Sequence, residues 1–236
     1  MTTRFRRTLL ESAAQPYRSA GLFAWKFALG KLKGDPAFLG LLQLGLIPDG
    51  KRLIDLGCGQ GLLAAWLLEA RTIYEAGEWP QGWPAAPKIE HIWGLELMPK
   101  DVARARAALD ARAEIVQGDI RSADLGQADV AIILDVLHYI SYEAQEDVLR
   151  RIHAALPKGG TFITRIGDAA GGLPFYYSNW VDRVIFFLRG HGINPIYCRS
   201  TTEWLEVLKR CGFEARSMPM HKGTPFSSVM LIAKAV

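Results

Sequence analysis

From residue 51 to residue 166 the chain repeats one phrase: a short apolar run, a turn, then a stretch with apolar residues at helical spacing. RLIDLG (52–57) reads as a strand, and GLLAAWLLEA (61–70) as a helix apolar on most faces, hence packed against a sheet. HIWGLEL (91–97), AEIVQGDI (113–120), DVAIILDVL (129–137) and TFITRI (161–166) supply further strands, with helices over 100–109 and 142–156. DVAIILDVL is almost continuously apolar, as expected of a strand covered on both faces. Strand and helix alternating five times restrict the chain to an α/β fold with a doubly wound parallel sheet.

The flanks differ. Residues 3–46 read as helices broken near Pro16, Gly21 and Asp35-Pro36. After the fifth strand come an aromatic-rich helix (175–190), a helix ending on a glycine (202–212), and two strands (213–220 and 226–236) around a Lys222-Gly223 turn. That spacing predicts a terminal antiparallel hairpin. The chain therefore divides into an N-terminal helical segment (1–48) and an α/β domain (49–236). The domain carries insertions at 74–90 and 168–200. In YEAGEWPQGWPAAPK (74–88), Pro80, Pro84 and Pro87 forbid regular structure, and Trp79 and Trp83 are expected to pin the loop down.

A formal net charge of +4 is spread along the chain. Its one dense cluster, Arg4, Arg6 and Arg7, reads as a solvated arm, which argues against a nucleic-acid partner. Cys58, Cys198 and Cys211 are odd in number and lack CxxC spacing, which fits reduced thiols in a cytoplasmic protein. No His/Cys/acid spacing suggests a metal. The longest apolar run, 38–47, falls well short of the roughly 20 residues a membrane span needs.

The most specific motif is LIDLGCGQG (53–61), in which Gly57, Gly59 and Gly61 separate a strand from a helix. Glycines there let the backbone turn sharply and let a ligand approach closely. The following helix offers unpaired N–H groups to an anion. The spacing is G-x-G-x-G, not the dinucleotide fingerprint G-x-G-x-x-G. Two more acids, Glu96 and Asp119, end the second and third strands. Any one acid reads as a turn or helix cap. Three at successive strand ends mark the edge where such sheets bind ligands.

On these residues the chain resembles the class I S-adenosylmethionine-dependent methyltransferases over about 50–166. The resemblance implies a seven-stranded, mainly parallel, Rossmann-like sheet completed by the terminal hairpin, with an N-terminal helical lid. It implies S-adenosylmethionine as cofactor. Asp55, Gly57, Cys58, Gly59 and Gly61 would line its methionine part, and Glu96 with Leu97 its ribose. Asp119 with Ile120 would hold its adenine, and Asp135 would stand near the methyl. Glu96 follows Asp55 by about 40 residues, and the 74–90 insertion accounts for the excess over the usual interval. From Tyr17, Arg18 and Lys31, the lid could reach the cofactor carboxylate.

Methyl transfer needs alignment of nucleophile, carbon and sulfur, and a hydroxyl nucleophile must also lose a proton. IILDVLHYIS (132–141) lacks the Asn/Asp-Pro-Pro-aromatic motif of enzymes that methylate exocyclic base amines. It is similar to the Leu-His-Asp-Trp stretch of small-molecule O-methyltransferases, with His138 on their catalytic histidine. Tyr139 replaces the acid and Ile140 the tryptophan, so His138 is read either as general base or as pocket wall. Arg165 is a candidate for a substrate carboxylate or phosphate, or an ion-pair partner of Asp168. Tyr139, Tyr176 and Tyr177 are candidate substrate contacts, the latter two within a substrate cover at 168–200. His153 reads as an exposed residue on the polar side of its helix. GKLKGDPAF (30–38) and TPFSSVMLIA (224–233) are similar to segments of bacterial methyltransferases of pigment synthesis. The expectation is methylation of a small molecule at oxygen or carbon. An RNA or protein methyltransferase and a non-catalytic cofactor-binding partner are the alternatives.

Overall fold

The computed structural model describes residues 2–169, 196–220 and 228–236. Seven strands form one sheet in the order β3-β2-β1-β4-β5-β7-β6, six of them parallel and β7 antiparallel. They are β1 (Gly50–Leu56), β2 (Ile89–Glu96), β3 (Glu114–Gln117), β4 (Val130–Leu134), β5 (Thr161–Gly167), β6 (Phe213–Pro219) and β7 (Ser228–Ala235). The helices are α1 (Thr2–Ala14), α2 (Leu22–Gly34), α3 (Pro36–Gln43), α4 (Leu62–Glu75), α5 (Pro99–Leu109), α6 (Tyr142–Ala155) and α7 (Thr201–Arg210). The chain forms two compact units, Met1–Asp124 with Ala128–Val130, and Leu125–Gln127 with Ala131–Val236.

In the first unit, β1 and β2 run parallel with Asp55 opposite Gly94 and Leu56 opposite Leu95. β3 extends them, with Glu96 opposite Gln117. α4 buries Leu62 to Leu67, Ala70 and Ile73, the all-round apolar helix foreseen from GLLAAWLLEA. The predicted break at Asp35-Pro36 is a helix start. Asp35 Oδ1 accepts from Ala37 N at 2.9 Å, and proline at the first position needs no donor partner. Trp66 Nε1 donates to Phe38 O at 2.8 Å, tying α3 to α4. The 74–90 insertion is held as expected. Trp79 and Trp83 meet Phe5 of α1 edge-on at 5.2 and 5.3 Å, Tyr74 meets Trp79 at 5.7 Å, and Trp79 Nε1 donates to Pro84 O.

In the second unit, β7 lies antiparallel between β5 and β6, with Arg165 opposite Met230 and Ser217 opposite Leu231. α6 is capped by Ser141, and α7 by a Ser200–Glu203 capping box. α7 buries Trp204, Val207 and Leu208, an amphipathic stripe at helical spacing.

Three expectations change. No helix joins β3 to β4; residues 118–129 form a loop. Its sequence, GDIRSADLGQAD, has no apolar stripe to bury, so the strict strand–helix alternation is broken once. β4 stops at Leu134, because Asp135 adopts a left-handed conformation (φ 59°) and Leu137–Tyr139 form a 3-10 turn. His153 is half-buried, not exposed: its ring meets Phe213 edge-on at 5.2 Å. The 175–190 helix, the Lys222-Gly223 turn and Tyr176, Tyr177, Trp180, His191 and His221 lie outside the described residues.

Candidate active site

The glycine turn leaves β1 with Gly57, Gly59 and Gly61 all at positive φ (77°, 56° and 74°). Gly57 N and Cys58 N both donate to Leu95 O, at 2.7 and 3.0 Å, which binds the turn to β2. Gly61 allows close packing: a Cβ there would stand 2.5 Å from Leu109 Cδ1. Gly59 is different, since a Cβ there would meet nothing within 4 Å. Its conformation favours glycine while its open side faces no protein atom, the requirement for a backbone that a ligand approaches.

Asp55 ends β1 and is buried, 4% exposed. Its carboxyl makes no hydrogen bond among the described residues. Burial, and secondarily the charge of Glu96, push its pKa up to about 7. Glu96 is well supplied with donors: Oε2 accepts from Gly59 N at 2.9 Å and Oε1 from Met98 N at 2.8 Å. Each oxygen keeps further acceptor capacity. Leu97 beside it is half exposed, at 50%. Burial, Asp55 and Glu96 raise the Cys58 thiol well above its ordinary value, so the group stays protonated. Asp119 is forked by Arg121, whose Nε and Nη2 lie 2.9 and 2.5 Å from Oδ2, and Ile120 next to it is buried.

Two further groups reach the turn. Tyr17, in a 3-10 turn after α1 (Gln15–Arg18), is fully buried and donates its hydroxyl to Gln60 O at 2.8 Å. It therefore touches the glycine turn's backbone. Arg18 lies over the Trp25 ring at 4.3 Å, and Lys31 pairs with Asp35 at 2.8 Å. Gln60 itself is buried; its Nε2 lies 3.3 Å from Asp101 Oδ1, and its Oε1 has no hydrogen-bond partner among the described residues. The sequence pointed to neither Gln60 nor Asp101, because a glutamine between glycines and an acid opening a helix carry no distinctive spacing.

The second unit holds the other candidates. Arg165, 6% exposed, forks onto Asp135 through Nε (2.7 Å to Oδ1) and Nη2. Asp168 receives Thr201 N and Oγ1 at 3.2 and 2.9 Å, at the start of α7. Beside the Arg165–Asp168 pairing considered from sequence stands an Arg165–Asp135 pair that was not considered there. The left-handed Asp135 turns its carboxylate towards the guanidinium of the neighbouring strand. His138 sits in the 3-10 turn, its ring 4.0 Å from that of Tyr139. Burial lowers its pKa to about 4, with Asp135 pulling up and Arg165 pulling down, so the ring is neutral at pH 7 and can accept a proton. Among the described residues, no group of three or more His, Cys, Asp or Glu could hold a metal ion. None of their helices is long and apolar enough to cross a membrane.

A family model described as a methyltransferase domain matches residues 54–162. Carboxy-S-adenosyl-L-methionine synthase of Chromohalobacter salexigens is 34% identical over 131 residues, covering 51% of this chain and 43% of that protein. The chain thus matches about half the length of the curated relatives it resembles. An O-methyltransferase family protein from Burkholderia thailandensis superposes with TM-score 0.63 at 17% identity, covering 92% of this chain and 61% of that one. Human N-acetylserotonin methyltransferase, solved in complex with SAM, superposes with TM-score 0.57 at 17% identity, covering 96% and 57%.

Proposed function

We propose that this chain, a member of the class I S-adenosylmethionine-dependent methyltransferases, methylates a small molecule at oxygen or carbon. The observation that carries the reading is the glycine turn with Asp55 behind it. An open Gly59, flanked by Glu96 on its amide, stands near a buried carboxyl that has no hydrogen-bond partner among the described residues. Such a carboxyl is suited to a ligand that brings a cation or hydrogen-bond donors, and S-adenosylmethionine carries an ammonium, a sulfonium and two ribose hydroxyls. Asp55, Gly57, Cys58, Gly59 and Gly61 would surround its amino-acid part. Glu96 would take the hydroxyls with its spare lone pairs. Leu97 would lie beside the ribose with Glu96, Ile120 would pack on the adenine, and Asp119 would share its carboxylate between Arg121 and the adenine amino group. The N-terminal segment, 1–48, would cover this turn, a role supported by the Tyr17–Gln60 hydrogen bond.

The cofactor supplies an electrophilic methyl on sulfur, and the protein's share is orientation and proton removal. His138 is the proposed base. A neutral imidazole of pKa near 4 is a weak base, so it matches an acceptor with an acidic proton, a phenol or enol, better than an aliphatic alcohol. In this proposal Asp135 would serve the cofactor and Tyr139 the substrate. Arg165 could take a substrate anion only by sharing its fork with Asp135. Tyr176 and Tyr177 are proposed for the substrate cover. The three cysteines, in no disulfide among the described residues, fit a reducing cytoplasm.

Isothermal calorimetry with S-adenosylmethionine and with NADH is the first test. The reading requires binding of the former; binding of NADH alone would end it. Screening tritiated methyl transfer onto phenols, enols and β-dicarbonyl compounds then addresses the acceptor. His138→Ala should cut turnover by about 10²–10⁴ with unchanged cofactor affinity.

A second reading follows the curated relatives named for carboxy-S-adenosyl-L-methionine. Here the domain would handle a carboxylated form of the cofactor. Mass spectrometry of cofactor released from the purified protein decides between them, because the carboxylated form is heavier by carbon dioxide.

A further inference from the structure

Gln145 is completely buried on α6 and makes more hydrogen bonds than its place on an amphipathic helix requires. Its Nε2 lies 3.0 Å from Leu137 O, 3.2 Å from Ile140 O and 2.9 Å from Tyr197 O. An amide nitrogen has two hydrogens, so three carbonyls share them through at least one forked bond. Two of those carbonyls bracket His138 in the chain. The third belongs to Tyr197, whose own N–H donates to His138 O at 2.8 Å. Hydrogen bonds therefore enclose the main chain of the 137–140 turn and join it to residues 197–199.

The direction of the amide is set from outside. Arg199 Nε donates to Gln145 Oε1 at 3.0 Å, which leaves the nitrogen facing the carbonyls. Arg199 is itself held over the Tyr142 ring at 4.4 Å and near Trp204 at 5.7 Å, and reaches Glu146 at 3.4 Å. Tyr142 hydroxyl donates to Cys198 O at 3.0 Å. A glutamate at 145 would face three carbonyls with no donor, and an apolar residue would leave their lone pairs buried.

We propose that Gln145 is a positioning residue for the His138 turn, holding residues 137–140 against 197–199 and so fixing where the imidazole stands beyond β4. This deepens the transfer-site reading and rests on it for its functional meaning. Separate elements bear on the turn: Tyr139 and the charges of Asp135 and of Arg165 on β5 act on the ring, and Gln145 on α6 binds the flanking carbonyls. Gln145 acts on the turn's backbone without charge, as the Tyr197 N–H does.

The test uses the full chain saturated with S-adenosylhomocysteine. Gln145→Met keeps length and packing and removes the hydrogen bonds. Arg199→Lys keeps the charge and removes the Nε–H that orients the amide, and serves if Gln145→Met fails to fold. Arg210→Gln, an exposed partner of Glu146, is the control. The readouts are histidine ring NMR, amide hydrogen exchange and calorimetry. Expected for Gln145→Met are about tenfold faster exchange at the Tyr197 amide, a displaced His138 ring resonance with its titration midpoint moved up towards that of free histidine, and S-adenosylhomocysteine affinity within about twofold of wild type. Arg199→Lys should move both signals the same way by less, and Arg210→Gln neither. A His138 resonance and midpoint unchanged in Gln145→Met, or in Arg199→Lys if only that variant folds, overturns the proposal. Failure of the base reading is separate: it appears as unaltered turnover in His138→Ala and leaves these signals as they are.

Discussion

Replacing Asp55 by asparagine should stabilise the ligand-free protein while weakening its hold on the cofactor. Asp55 is buried at the end of β1, beside Glu96, and its pKa stands at about 7 against an ordinary 3.8. The folded chain therefore holds a proton there that the unfolded chain releases between those two pH values. Folding stability falls as pH rises from about 4 to about 7, and the full penalty is present above 7. The interval corresponds to roughly 4 kcal/mol as an upper figure, at 1.36 kcal/mol for each pKa unit. Asparagine has nearly the same shape and does not ionise, so Asp55→Asn should be close to neutral at pH 5 and raise Tm by several degrees at pH 8.

Binding should move the other way. A cationic ligand beside Asp55 favours the carboxylate, so wild type should release up to one proton on binding S-adenosylmethionine near pH 6.5. Calorimetry in buffers of different ionisation enthalpy measures that number. Asp55→Asn should abolish the release and lose about 10- to 100-fold in affinity, the worth of a charge-assisted hydrogen bond. The reasoning is refuted if Asp55→Asn is no more stable than wild type at pH 8. A pH trend of opposite sign would refute it equally.

The two glycines of the turn should fail in different ways. Gly61→Ala puts a Cβ 2.5 Å from buried Leu109 at φ 74° and should cost about 2–4 kcal/mol in urea unfolding, whereas Gly59→Ala should cost only about 1 kcal/mol but suppress S-adenosylhomocysteine binding. The depressed His138 pKa contributes stability that is fully present above pH 6.5 and lost as pH falls through 4; with some solvent contact kept by the ring, less than roughly 3 kcal/mol is at stake, and His138→Phe should flatten that limb of the stability–pH curve. Trp79→Ala removes ring contacts to Phe5, Tyr74 and Trp83, and should destabilise the chain by about 2–3 kcal/mol and open residues 76–88 to limited proteolysis.

What could be read from the sequence was what local pattern encodes. Strand runs, helix stripes and the glycine turn announced the α/β architecture, because periodicity and turn chemistry are properties of neighbours in the chain. The Trp79–Trp83 anchoring followed from prolines that exclude regular structure and rings that must be buried somewhere. The acids at the ends of β1 and β2 and after β3 were visible for the same reason. The absent helix between β3 and β4 was legible in principle, since GDIRSADLGQAD has no stripe, but the rhythm of the surrounding elements obscured it.

Tertiary structure decided what each side chain meets. Asp55 and Glu96 have like formulas and neighbouring strands, yet one is buried without a hydrogen-bond partner among the described residues and the other is held by two amides. Arg165 forks onto Asp135, which turns left-handed at the end of β4, a pairing the sequence did not announce. Gln145 looked like one more polar residue on an amphipathic helix. Its importance comes from carbonyls 5, 8 and 52 residues away in the chain. Hydrogen-bond demand of that kind arises only when distant backbone is folded together, so no local pattern announces it.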